Sequence, residues 1–108
     1  MSTPCLYLLE EIWGELWLSL ASLLRSYTAV HGLNGKRQAT IEHDGERIVA
    51  SHGEKWLELK RNGASVSWKR EDGSLGMLEL TETGRLRSCT GEEEMDLAAE
   101  QWARELMQ

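Results

Sequence analysis

The chain has 108 residues, 41% hydrophobic and 28% charged, with a formal net charge of −6. That length suits one α+β domain over residues 1–108, and the composition is that of a chain able to bury a core, which excludes a disordered tail or linker. The acidity argues against a nucleic-acid partner, whose phosphates need clustered Lys and Arg, and it is concentrated at the end, where residues 90–108 hold six acids and one Arg.

The first element predicted is a helix from about Cys5 to Tyr27. Leu6, Leu9, Trp13, Leu16, Trp17, Leu20, Leu23, Leu24 and Tyr27 recur at helical spacing and make one broad apolar stripe. Ser2 or Thr3 can cap its start and Pro4 suits the first turn. Tyr7, Leu8 and Leu18 fall outside the stripe. The segment is rich in Leu and Trp, yet Glu10, Glu11 and Glu15 interrupt it, so it is read as neither a membrane span nor a signal peptide. With two cysteines, Cys5 and Cys89, spaced far apart, the chain reads as a cytoplasmic protein with reduced thiols.

Residues 28–36 form a turn-prone connection containing Gly32, Asn34 and Gly35. Gly32-Leu33-Asn34-Gly35-Lys36 lacks the spacing and the hydroxyl residue of a phosphate loop. Short segments punctuated by glycine follow. Asp44-Gly45, Asn62-Gly63 and Asp72-Gly73 are hairpin signatures, and Gly53 and Gly84 mark two more turns. They predict six antiparallel strands at about 37–43, 46–52, 55–61, 64–70, 75–81 and 85–89.

Pairing these strands through their turns puts one apolar face in register: Ala39, Ile41, Ile48, Ala50, Leu57, Leu59, Val66, Trp68, Leu78, Leu80 and Leu86. The expected pairs are Ile41 with Ile48, Ala50 with Leu57, Leu59 with Val66, Trp68 with Leu78, and Leu80 with Leu86. A second helix is predicted from Gly91 to Met107. Thr90-Gly91-Glu92-Glu93 reads as its capping box, and Met95, Ala98, Ala99, Trp102 and Leu106 as its buried stripe. The expected architecture is a two-layer sandwich of helix, six-stranded meander and helix, with both helices on one face of the sheet.

No spacing of His, Cys, Ser or carboxylates builds a catalytic or metal site, so no enzyme and no cofactor is expected. His43 and His52 fall at opposite ends of one hairpin. Glu92, Glu93, Glu94 and Asp96 are explained by the positive end of a helix dipole.

The opposite face of the sheet is the most informative surface. Trp56 there has the wrong parity for the core, and Arg47, Val49, Lys60, Lys69 and Met77 share its side. These six residues are the candidate protein contacts, with Trp56 ringed by Arg47, Lys60 and Lys69. The partner is expected to be another protein or a second copy of the chain.

The strand Lys55-Trp56-Leu57-Glu58-Leu59, followed one strand later by Trp68, resembles the sheet of frataxin-like proteins, which share the plan of helix, antiparallel meander and helix. The resemblance implies an iron or iron–sulfur accessory role, with Glu10, Glu11, Glu15 and Glu42 as the sparse counterpart of that family's acidic ridge. A third expectation is a small-molecule carrier with its pocket between helices and sheet.

Overall fold

A computed structural model of the chain describes residues 4–31 and 39–107. The turn-prone stretch Gly32–Lys36 and the cap candidates Ser2 and Thr3 lie outside the described residues, as do the side chains of Pro4 to Glu10. A helix, α1 (Pro4–His31), precedes seven strands: β1 (Thr40–His43), β2 (Arg47–His52), β3 (Lys55–Asn62), β4 (Ser65–Arg70), β5 (Leu75–Leu80), β6 (Arg85–Ser88) and β7 (Gly91–Glu94). A second helix, α2 (Met95–Met107), closes the chain. Every strand pairs antiparallel with its sequence neighbour, so the sheet order is β1 to β7 without a crossover.

The expected architecture is present, with one strand more than predicted. Residues 91–94 do not begin the second helix as the capping-box reading has it. They pair with β6 instead, Ser88 opposite Gly91 and Arg85 opposite Glu94. Arg87 reaches Glu92 at 3.2 Å and Glu79 at 3.3 Å, so opposite charges flank it on both neighbouring strands. A β6–β7 hairpin thus gives Glu92 a partner that a helix start would not, and α2 begins four residues later. The run of glutamates also charges an edge strand against further pairing.

Three hairpins differ from the predicted pairing by two residues. Ile41 faces Ala50, Leu59 faces Trp68, and Trp68 faces Gly76 in place of Leu78. Local turn chemistry explains the slips. Asp44 sits outside the first loop and caps it, its carboxylate accepting the amides of Glu46 at 2.8 Å and Arg47 at 2.9 Å. Gly63 is the first residue of the β3–β4 loop, with φ +63°, a conformation that glycine adopts without strain. Asp72 accepts the Ser74 amide at 2.8 Å, which closes the β4–β5 loop over 71–73. Ala50 with Leu57 and Leu80 with Leu86 pair as predicted.

A slip of two residues keeps every side chain on its face. Ile48, Ala50, Leu57, Leu59, Val66, Leu80 and Leu86 are buried accordingly, and Ala39, Ile41, Trp68 and Leu78 pack partly buried against them. Trp17, Leu20, Ala21 and Leu24 of α1 join Met95, Ala98, Ala99, Trp102 and Leu106 of α2 in the same core, so both helices cover one face of the sheet. Burying each large side chain contributes about 1.5–3 kcal/mol. Thr28, buried within α1, donates its hydroxyl hydrogen to the Leu24 carbonyl at 2.8 Å.

The helices lie side by side in parallel. Tyr27 donates a hydrogen bond to Asp96 at 2.6 Å, and His31 meets Glu100 at 2.8 Å. Asp96 pushes the Tyr27 hydroxyl above its ordinary pKa, first through that hydrogen bond. Arg104 and then His31 hold the Glu100 carboxyl below the usual carboxylate range.

Where α1 crosses the sheet is fixed by two contacts at the same end of the meander. Trp17 donates its indole N–H to the Asp44 carbonyl at 2.9 Å, and Leu16 sits against Gly84 of the β5–β6 turn. A helix of 28 residues is about 42 Å long. Trp13, one turn before Leu16, still packs against the core, and the described residues measure 55 × 24 × 19 Å.

Candidate functional site on the bare face of the sheet

Alternation along each strand sends one set of side chains to the helices and leaves the other uncovered. Register groups the uncovered set into rows. Arg47 pairs with Lys60, Lys60 with Ser67, and Ser67 with Met77. One step along the strands, Val49 pairs with Glu58, Glu58 with Lys69, and Lys69 with Leu75. Five of the six predicted contact residues therefore occupy two adjacent rows.

Trp56 is on the same face but in a third row, opposite Ser51. Four residues of strand, about 13 Å, separate it from Lys60. The predicted ring of Arg47, Lys60 and Lys69 around Trp56 does not form as drawn. Trp56 is half-buried at the far end of the face, and its amide donates to Glu71 at 3.2 Å.

Charge on the face is partly spent internally. Arg47 grips Glu58 through two nitrogens, at 2.7 and 2.6 Å. Lys60 and Lys69 make no ion pair among the described residues. Between them and β5 lies a shallow concavity of about 300 Å³, with Leu75 and Met77 on its wall. Each of those two side chains is 69% exposed, the highest value among the large hydrophobic residues described. Leu75 was missing from the sequence-based contact set. Its parity with Met77 on one strand was the available clue, and its position beside the Asp72-Gly73 turn obscured it.

The arrangement can grip an apolar side chain of a partner between Leu75 and Met77 and offer two ammonium groups to that partner's acids. Among the described residues no three His, Cys, Asp or Glu are grouped so as to hold a metal ion. Glu11 and Glu15 are exposed on α1, while Glu42 stands on the bare face of β1. His43 and His52 are at opposite ends of the β1–β2 hairpin. Trp17, Leu20, Leu24, Ile48 and Leu59 are fully buried between helices and sheet. Among the described residues no helix is long and apolar enough to cross a membrane.

No protein family, curated protein or solved structure matches the chain.

Proposed function

We propose that the chain is a non-catalytic docking module that works in the cytoplasm and engages a partner protein, or a second copy of itself, through the bare face of its sheet. The observation that carries this reading is the pair Leu75 and Met77, each 69% exposed on a face that neither helix covers. Large apolar side chains grouped on an otherwise polar surface mark interfaces more often than chance. Lys60 and Lys69 beside them give the contact a sign, so the partner's patch carries acids around an apolar centre. The cytoplasmic part of the proposal rests on the exposed free thiol of Cys89, which suits a reducing compartment.

The test is a double variant, Leu75→Glu with Met77→Glu. Both positions are exposed, so the fold is retained by circular dichroism while the chain loses its partner, or its dimer, in size-exclusion chromatography of native extract. An unchanged elution position for the folded variant would refute the proposal.

A further inference from the structure

The bare face carries a charge opposite in sign to that of the whole chain. The formal net charge of the chain is −6. The two rows that hold Leu75 and Met77 carry Arg47, Lys60 and Lys69 against Glu58 alone, which leaves them at +2. Arg47 engages Glu58, so the surplus sits on Lys60 and Lys69, both exposed. On the other side of β5 the charges are matched. Arg87 is held between Glu79 and Glu92, and Arg85 stands opposite Glu94. The cationic strip is therefore one-sided, and the apolar pair on β5 bounds it.

That balance selects the occupant. A second copy docked by the same two rows brings +2 onto +2, a pairing that opposes association. A strand joins a sheet only at an edge, so whatever covers a face packs there by its side chains. Leu75 and Met77 are two residues apart on β5, about 7 Å along the strand, close to the rise of about 6 Å between residues i and i+4 of a helix. A helix about 10 Å across covers two strands spaced by about 4.8 Å. Laid along β5, it has Ser67 and Lys69 of β4 beside it and Lys60 one strand further, all on one flank. These five residues together line the concavity of about 300 Å³.

We propose that the bare face takes an acidic amphipathic helix of a partner protein, laid along β5, with its apolar stripe on Leu75 and Met77 and its carboxylates paired with Lys60 and Lys69. The inference rests on the docking role proposed above and narrows it to one kind of occupant. Apolar anchors supply the contact area, and charge on a single flank fixes the register and direction of the helix.

The probe is a labelled 18-residue helical peptide of Ala, Leu and Glu, with Leu at three-and-four spacing and Glu on one flank, titrated with the full chain and followed by anisotropy. It binds although the chain is itself acidic, and added salt weakens it. Lys60→Glu and Lys69→Glu each weaken binding about fivefold. Arg25→Glu makes the same change in net charge at an exposed position on α1 and alters affinity less than about twofold. Should Lys69→Glu unfold beside Glu58, Lys69→Gln still weakens binding. No binding, equal losses from Lys69→Glu and Arg25→Glu, or equal binding of a single-stranded oligonucleotide, which has charge without apolar anchors, would each overturn the inference. So would a dimer in sedimentation that Leu75→Glu with Met77→Glu dissolves, although the docking role of the face would then stand. The same holds if that double variant loses its partner in native extract while Lys60→Glu with Lys69→Glu keeps it.

Discussion

The indole of Trp68 lies on Gly76 of the neighbouring strand so closely that a methyl group added at Gly76 would meet the ring at 2.7 Å. The two are directly paired, and Arg70 lies over the ring, 5.2 Å from its centroid, while pairing with Glu105 of α2. Gly76 therefore leaves room for a tryptophan that the helices cover only in part. Gly76→Ala is expected to destabilise the fold by about 1–3 kcal/mol, as overpacking does. In a Trp68→Ala background the same change should be neutral or stabilising by up to about 1 kcal/mol, because alanine then only reduces unfolded-state freedom. Trp68→Ala itself should cost about 2–3 kcal/mol, less than a fully buried Trp, and more than Trp56→Ala. Urea unfolding of the four-member cycle checks this. Additive effects would show that the ring and the glycine do not interact.

Gly14 stands inside α1, and an added methyl group there meets nothing within 4 Å. Gly14→Ala should therefore stabilise by about 0.5–1 kcal/mol, the ordinary helix-interior difference. A fall in the thermal midpoint would mean that this part of α1 is not a continuous helix.

The placement of β7 can be separated from a capped helix start by Thr90→Ala. A helix cap lost to alanine costs about 1 kcal/mol. Thr90 is instead exposed in the β6–β7 turn, its hydroxyl 2.9 Å from that of Ser88. The change should stay within about 0.5 kcal/mol. A loss of 1 kcal/mol or more in chemical denaturation would favour the helical reading of residues 91–94.

Face assignment was legible in the sequence, and pairing at two of five hairpins, for a reason visible at the other three turns. Side-chain alternation fixes which residues point inward, and a slip of two residues leaves that unchanged. Asp44, Gly63 and Asp72 each move a loop by local hydrogen bonding or positive φ, which dipeptide signatures such as Asn62-Gly63 do not resolve. The glutamates at 92–94 suit both a helix start and a strand opposite Arg85 and Arg87, and only the tertiary pairing decides. On the candidate site, five of six residues share two rows because parity is a local property. The distance from Trp56 to Lys60 depends on position along a strand, which a search for shared faces ignores.

The α1–α2 clamp should show in the acid limb of stability. Arg104 and His31 hold the Glu100 carboxyl below its ordinary pKa. A carboxyl lowered in the folded state contributes stability that is complete above its unfolded value, near pH 4.3, and is lost as pH falls through the folded value. Glu100→Gln should lower the urea midpoint at pH 7 and flatten its decline below about pH 4 relative to the parent chain. Parallel profiles for the two proteins would show that the clamp contributes nothing to folding.

The docking role of the bare sheet face is tested most directly by photo-crosslinking in the native cell, with a photoreactive amino acid placed at Met77 and, in a separate variant, at Leu18. Both side chains are exposed, at 69% and 53%, but Leu18 stands on the outer side of α1, away from the sheet. The account predicts one discrete crosslinked species from position 77, a partner protein or a dimer of the chain, that position 18 does not give. The same products from both positions, or none from position 77, would contradict it.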